Sequence, residues 1–285
     1  DWLLLVTDRV DIYSTAASAW LPTSSLSIPR SHLAAAGLGN KVVFGGGQNP
    51  NSGFAFNIVD IYNALTSTWT TSQLSVARHS LCAAGAGDKI VFAGGEDASG
   101  TPLNTVDIFD IVTNTWTTAT LSEARTNLAA TALGTKIYIG GGKTTTGASN
   151  RVDIYDVINN TWSIDSLSVA RERLSAASTG NLVMFGGGSI SNGATTYDEV
   201  DILDTTSGTW TVANLAVKRY WLAATSIGNK ILFGGGATQT GVTDMVDMYT
   251  LLTSNVESIS LNDFMVYPNP ASSELSIENV INNHE

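Results

Sequence analysis

Hydrophobic and polar residues are arranged along this chain in short blocks that recur with a long period. In residues 78–116 an Arg is followed by a Leu, a run of small residues, a turn with Gly and an apolar run ending in Gly-Gly. A variable loop, Val-Asp-Ile and a Trp complete the block. β-Branched and aromatic residues are dense, and Gly or Asn interrupts them at short intervals, so the block predicts strands rather than helices.

Four strands are predicted within this block. Residues 80–86 form the first and residues 89–93 the second, joined by a two-residue turn that begins with Gly87. Such a turn between apolar runs is a strong hairpin signal. Residues 105–110 form the third strand and residues 115–119 the fourth.

Three markers of this block repeat in steps of 46 to 49 residues. The Arg recurs at Arg30, Arg78, Arg125, Arg171 and Arg219. The Asp recurs at Asp11, Asp60, Asp107, Asp153, Asp201 and Asp247. The Trp recurs at Trp20, Trp69, Trp116, Trp162 and Trp210. This period is typical of β-propeller repeats rather than of the shorter helical repeats.

The residue types in each strand predict its radial position. The first strand is rich in Ala and Gly in every unit, as expected where neighbouring units crowd together at a hub. The second strand is bulky and should lie in the core, and the Trp of the fourth strand should fill the gap to the next sheet at the outer edge. Four-stranded sheets in this radial arrangement form a β-propeller.

Over about residues 10–250 the units resemble kelch repeats. The resemblance rests on the Arg before the first strand, the double Gly after the second, the aromatic residue of the third and the Trp seven residues later. The double Gly is found at Gly46-Gly47, Gly94-Gly95, Gly141-Gly142, Gly187-Gly188 and Gly235-Gly236, and the aromatic residue is Tyr13, Tyr62, Phe109, Tyr155 or Tyr249. Leu203 replaces the aromatic residue in one unit, and Val256 replaces the last Trp.

The number of blades is read from the half-units. The first half of a unit, from the Arg to the double Gly, occurs five times, and the second half, which contains Val-Asp, occurs six times. An all-β propeller of six blades with a truncated first blade therefore fits best. Residues 2–6 are then the only remnant of an early second strand, and residues 256–260 form a weak last strand. Five blades closed by pairing residues 10–20 with 219–236, or a seventh blade upstream, are the alternatives. The first residues carry neither Met nor a charged segment, so we expect the true start to be missing.

The candidate binding surface follows from the strand order. Antiparallel strands place the second-to-third and fourth-to-first connections on one face, and binding residues are often found on such loops. The variable loops are residues 48–57, 96–104, 143–150, 189–198 and 237–244. The candidate binding residues are Arg30, His32, Arg78, His79, Arg125, Asn127, Arg171, Glu172, Arg173, Arg219, Tyr220 and Trp221.

The repeated Arg and Asp have two interpretations. They can pair as a structural element of every blade, because buried carboxylates persist when paired or hydrogen-bonded. Alternatively, the arginines surround the pore and bind an anionic ligand, and the kelch resemblance implies that such arginines contact acidic partners. The unit-specific pair Tyr220-Trp221 is expected to stack on a sugar, to anchor a peptide or to pack against the neighbouring blade.

Composition and charge exclude several functions. With 14 basic and 25 acidic residues the net charge is −11, and most cations occupy repeat positions, so we expect no nucleic-acid surface. Cys82 is the only cysteine and lies in a small-residue run, which indicates packing rather than catalysis. No apolar run reaches the ~20 residues of a membrane span.

No catalytic constellation is visible in the sequence. His32, His79 and His284 do not share an offset, and no metal-ligand spacing, nucleophile elbow or phosphate loop is present. We therefore expect a monomeric binding module for protein or glycan, without cofactor or metal, rather than an enzyme. A galactose-oxidase-like or other carbohydrate-active enzyme and a structural spacer are the alternatives. A cation held by Glu96, Asp97 and Asp198 is a further, weaker hypothesis.

Composition changes after about residue 260. The segment Tyr267-Pro268-Asn269-Pro270 excludes a helix and precedes alternating residues, which predicts entry into a small β-sandwich. It resembles the start of the C-terminal sorting domain of type IX secretion in Bacteroidota. We thus expect a propeller in residues 1–260 and a truncated sorting domain in residues 261–285. The resemblance implies type IX secretion machinery as a partner and a secreted or outer cell-surface protein.

Overall fold

The computed structural model describes residues 6–190 and 193–251 and, as backbone, two short strands nearer the C-terminus. The described part of the chain is all-β. The chain divides into two compact units, Asp1–Leu251 and Leu252–Glu285. The strand segments predicted at residues 2–5 and 256–260 lie outside the described residues.

Five sheets, named blades 1 to 5, follow one another along the first unit, and the strands of each are antiparallel neighbours in chain order. Blade 1 consists of Ala34–Leu38, Lys41–Gly45, Ile58–Asn63 and Thr68–Gln73. Blade 2 consists of Cys82–Ala86, Lys89–Ala93, Thr105–Asp110 and Thr115–Thr120. Blade 3 consists of Ala129–Leu133, Lys136–Gly140, Arg151–Asp156 and Thr161–Ser166. Blade 4 consists of Ser175–Thr179, Leu182–Gly186, Glu199–Asp204 and Thr209–Asn214, and blade 5 of Ala223–Ile227, Lys230–Gly234 and Val246–Thr250.

A hairpin precedes blade 1. Arg9–Val10 pairs with Ser24–Ser25, and Tyr13–Ser14 pairs with Ala19–Trp20. These residues occupy the positions of a third and a fourth strand in the repeat. Among the described residues, the strands of this hairpin pair with each other and not with the strands of blade 5.

Shorter strands complete the described structure. In the loops, Gln48–Asn49 pairs with Phe54–Ala55 and Ser189–Ile190 pairs with Thr195–Thr196. In the second unit, Phe264–Tyr267 pairs antiparallel with Ser276–Asn279.

The first strands of consecutive blades lie side by side at the hub. Their small side chains allow this close approach, as the sequence predicts. The bulky residues form four core clusters, each shared by two adjacent blades. Between blades 2 and 3, for example, Val106 and Ile108 pack with Ile137 and Ile139, and Trp162 covers them. Burial of each such side chain contributes about 1.5–3 kcal/mol, so packing between blades stabilises the fold.

The outer Trp packs as the repeat predicts. Trp116 stacks on Phe109 of its own blade with ring centroids 4.8 Å apart, and it also packs against the core shared with blade 1. Trp162 stacks on Tyr155 at 4.7 Å. The ring therefore joins the third strand of its own blade to the preceding sheet.

Leu203, which replaces the aromatic residue in blade 4, faces Tyr138 of blade 3 in the shared core. Between blades 2 and 3 the same two positions hold Val91 and Tyr155. The large and the small side chain have thus exchanged sides, and both Tyr138 and Leu203 stay buried. This exchange keeps the volume of the core and explains why the substitution is tolerated.

Candidate binding face

The variable loops lie on one face of blades 1 to 5, here called the loop face. In each blade, the first residue after the repeated Arg forms an isolated β-bridge with the residue that follows the double Gly. These bridges are Ser31–Gln48, His79–Glu96, Thr126–Lys143, Glu172–Ser189 and Tyr220–Ala237. Backbone hydrogen bonds thus hold both kinds of connection side by side, and the loops project from a fixed base.

The five repeated arginines lie beneath the loop face, with fully buried side chains. Each is ion-paired with the repeated Asp of the same blade. The pairs are Arg30–Asp60 (2.8 Å), Arg78–Asp107 (2.7 Å), Arg125–Asp153, Arg171–Asp201 (2.6 Å) and Arg219–Asp247 (2.6 Å). Burial lowers the pKa of Arg78 and of Arg125, whereas the carboxylates of Asp107 and Asp153 act to raise it.

The same pair fastens the chain that enters each blade. In blade 2, Arg78 donates to the carbonyls of Gly94 at 2.9 Å and Phe92 at 3.1 Å, at the end of the second strand. Asp107 accepts the backbone N–H of Ser75, in the connection from blade 1, at 2.9 Å. The repeated arginines therefore position the loops from below and do not reach the surface of the face.

The second residue after each Arg belongs to a backbone ring, here called the hub ring. It consists of His32, Ser80, Asn127, Arg173 and Trp221. All five have positive φ, between 54° and 58°. Each backbone N–H of the later four donates to the carbonyl of the preceding member, over 2.9 to 3.0 Å. A left-handed conformation costs a non-glycine residue roughly 1–3 kcal/mol, and these bonds between blades hold it in place.

The side chains of the hub ring line one cavity of about 680 Å³ at the centre of the loop face. Its polar groups are the imidazole of His32, the hydroxyls of Ser80 and Ser175, the amide of Asn127, the guanidinium of Arg173 and the indole N–H of Trp221. Each of these groups can donate a hydrogen bond. Among the described residues that line the cavity there is no Asp or Glu. The cavity therefore suits a group rich in hydrogen-bond acceptors.

Blades 4 and 5 supply a stacked cluster at the edge of this cavity. The guanidinium of Arg173 lies 4.6 Å from the ring centre of Trp221 and 6.0 Å from that of Tyr220. The carboxylate of Glu172 lies 3.8 Å from Nε of Arg173 and accepts from the amide of Asn127 at 3.2 Å. Cation–π stacking and the carboxylate thus hold the arginine in one orientation at the cavity.

A titratable pair lies on the side of blade 2. Nδ1 of the buried His79 is 3.0 Å from Oγ of Ser80 and 3.5 Å from Oε1 of Glu96, and its ring centre is 6.4 Å from that of His32. Burial, and secondly the neighbouring His32, lower the pKa of His79. Burial also raises the pKa of Glu96. The loss of hydration therefore favours the neutral form of both groups.

The structure divides the predicted binding residues into three groups. His32, Asn127, Arg173 and Trp221 meet in the hub ring. His79, Glu172 and Tyr220 lie one residue away, in the bridges to the loops, and the five repeated arginines lie beneath. Ser80 is a ring member absent from the predicted candidates. Ser80 could have been found from the sequence, because it is the second residue after the repeated Arg, as are the other ring members.

No group of three or more His, Cys, Asp or Glu side chains within residues 6–190 and 193–251 is placed to hold a metal ion. Asp97, a candidate cation ligand, accepts hydrogen bonds from Ser99 and Thr101 of its own loop. In the part of the chain that the structure describes, no helix is long and apolar enough to cross a membrane.

The repeated blades, the buried Arg–Asp pairs and the loop face together define a kelch-type β-propeller. The model of the KLHDC2/KLHL20/DRC7 Kelch-repeats domain matches residues 31–236, and the chain belongs to this family. A search of the curated proteins finds no match. Kelch domains typically bind proteins, and this chain has the fold of such a binding module.

Proposed function

We propose that the chain binds an acidic segment of a partner protein at the loop face, with the hub cavity as the anchoring site. The observation that carries this proposal is the convergence of the hub ring on one cavity. Five different side chains there come from five blades, and all five have fixed backbones. A rigid base reduces the entropy lost on binding, so these side chains can contribute affinity efficiently.

The chemistry of the cavity favours a carboxylate from the partner. Arg173 is oriented by Trp221 and by Glu172, which lies outside the lining. Glu172 accepts from one N–H of the Asn127 amide, so the other N–H and the Ser80 hydroxyl are the further polar groups beside Arg173. Hydrogen bonds between a guanidinium and a carboxylate are among the strong ones in proteins. An acidic peptide is therefore the partner that this cavity fits best.

An array of acidic peptides and their amide counterparts tests the proposal. We expect Arg173→Ala to weaken the best acidic peptide by about tenfold or more, because an oriented charged partner is lost. Arg151→Ala is the matched control, since Arg151 is exposed at the start of a third strand. Equal binding by the two variants, or a preference for the amide peptides, would contradict the proposal.

A glycan is the second candidate ligand of the same face. The observation that favours it is the stacked pair Tyr220–Trp221, with ring centroids 5.0 Å apart. Aromatic faces can pack against the apolar face of a sugar ring. A glycan array distinguishes the two candidates, because Trp221→Ala should abolish glycan capture.

We propose a monomeric binding module rather than an enzyme. The sequence has no nucleophile elbow, phosphate loop or histidine cluster that would support a reaction. The alternatives are a galactose-oxidase-like enzyme and a structural spacer. Oxidation of galactose by the copper-treated protein would overturn the proposal, and failure to bind any arrayed peptide or glycan would favour the spacer.

We further propose that the complete ring has six blades and that the protein is exported by type IX secretion to the surface or the medium. The hairpin that ends at Ser25 supports the first proposal, since it holds the third- and fourth-strand positions of a further blade. The sequence Tyr267-Pro268-Asn269-Pro270 supports the second. Electron microscopy of the full-length protein counts the blades, and fractionation of the source cells tests export. Recovery in the cytoplasm alone would refute it.

A further inference from the structure

A second cavity, of about 520 Å³, opens between blades 3 and 4. It is lined by the turns that join the first and second strands, including Gly134 and Gly180, so it faces away from the loop face. It also lies between two complete four-stranded blades. The cavity is therefore separate from the hub cavity, with which it shares no lining residue.

Three residues in this cavity depart from the repeat in size or charge. Tyr138 stands where the other blades have Val43, Val91, Met184 and Leu232. Leu203 stands where the others have an aromatic residue. Asp165 stands where the others have Ser72, Ala119 and Ala213. The exchange of large and small side chains explains Tyr138 and Leu203, but packing does not explain a carboxylate at Asp165.

The Asp165 carboxylate is held in a fixed orientation. Nε1 of Trp210 in blade 4 donates to its Oδ2 at 2.8 Å, and the backbone N–H of Ser166 donates to its Oδ1 at 2.8 Å. A carboxylate has about four acceptor positions. Asp165 therefore keeps acceptor capacity for a ligand in the cavity that it lines.

The other polar groups complement this acceptor. Lys136 supplies donors, and the hydroxyl of Ser163 can donate or accept. The amide of Asn181 donates to Asp204 at 2.8 Å and keeps its second N–H for a ligand. Within the described structure no hydrogen bond joins the hydroxyl of Tyr138 to another residue. Tyr138 and Leu203 are 3% and 6% exposed, so only small apolar edges of these two side chains form the floor. One positive and one negative side chain leave the lining without net charge.

From this arrangement we propose that the cavity between blades 3 and 4 binds a neutral polyhydroxylated ligand, namely a pyranose sugar. Sugar hydroxyls both donate and accept hydrogen bonds, which matches the donors and the acceptor around the floor. The apolar face of the sugar ring contacts the exposed edges of Tyr138 and Leu203, and its lack of charge suits the balanced pair Lys136 and Asp165. This proposal does not depend on the function of the loop face.

The test is a titration of the whole protein with glucose, galactose, mannose and N-acetylglucosamine, followed by the NMR signal of the Trp210 indole N–H. We expect a saturable shift with at least one sugar. Asp165→Ala should weaken that binding by about tenfold or more, because an oriented charged acceptor is lost. For this variant the shift is followed at the Tyr138 ring, since its Trp210 indole loses its acceptor.

Two control variants separate the proposal from a general loss of structure. Ser72→Ala makes the matching change in blade 1 and should bind the sugar like the unchanged protein. Asp165→Asn keeps an acceptor for Trp210 and the shape of the side chain, and it should still weaken binding. No saturable shift with any of the four sugars, or equal binding by Asp165→Ala and Ser72→Ala, would overturn the proposal. Arg173→Ala should leave sugar binding at this cavity intact, so failure at the hub is distinguishable.

Discussion

The buried ion pair of blade 3 gives the sharpest prediction, the effect of Arg125→Ala on stability. The Arg125 side chain is fully buried, pairs with Asp153 and donates to the carbonyls of Gly141 at 2.6 Å and Arg151 at 2.8 Å. Alanine leaves a buried carboxylate whose remaining partner is the backbone N–H of Ser122. Breaking such a pair costs about 3–5 kcal/mol, a large part of the 5–15 kcal/mol typical of a folded domain.

Urea denaturation, followed by circular dichroism and Trp fluorescence, measures this loss. Arg9→Ala is the control, because the Arg9–Asp11 pair is exposed, with side-chain accessibilities of 62% and 49%. Such a pair contributes about 0–1 kcal/mol. The double change Arg125→Met with Asp153→Leu should lose less stability than Arg125→Ala, since no charge is left unpaired. A loss below about 1 kcal/mol for Arg125→Ala would refute this reasoning.

Three further predictions concern single positions. Gly95→Ala should lower the free energy of unfolding by about 1–3 kcal/mol, because Gly95 has φ 98° and an added Cβ would lie 2.6 Å from a backbone carbonyl oxygen. In a thermal melt, the control Gly100→Ala should lower stability less, because its Cβ meets no atom within 4 Å. Cys82 should resist alkylation at pH 8 until urea unfolds the chain, because burial raises the pKa of its thiol to about 12. Alkylation of Cys82 in the native protein would contradict this prediction. The pKa of Asp110, measured by NMR titration, should lie below the ordinary value of 3.8, because Lys89 donates to its carboxylate. The stabilisation by this carboxylate is then present above pH 3.8 and lost on acidification, and an unchanged pKa in Lys89→Met would disprove the cause.

The strands of the fold are predictable from the sequence because each is bracketed by a local signal. The turn at Gly87 and the double Gly at 94 and 95 bound the second strand of blade 2, and Lys89–Ala93 is found there as predicted. The sequence predicts the first strand over residues 80–86, whereas the strand begins at Cys82. The difference arises because Ser80 has a φ of 55°, which a strand does not allow.

The candidate site is less predictable, since its geometry depends on contacts between blades. The left-handed backbone at Arg173 and Trp221 has no local signal, because neither residue favours positive φ; it follows from N–H groups that bond to the adjacent blade. The depth of the repeated Arg is likewise not encoded locally, as an Arg before a strand can point to solvent or inward. Tyr138 and Leu203, which exchange a large and a small side chain, lie 65 positions apart and in different repeats. Comparing equivalent positions one repeat at a time does not show that these two residues meet.

The hub ring has a consequence for how such a domain acquires new partners. Its members are joined by main-chain hydrogen bonds, which do not depend on the type of side chain that each position carries. Histidine, serine, asparagine, arginine and tryptophan occupy equivalent backbone positions in a single molecule. Selection can therefore change these positions one at a time, and alter what the domain recognises, while the stability of the ring is set by buried residues elsewhere.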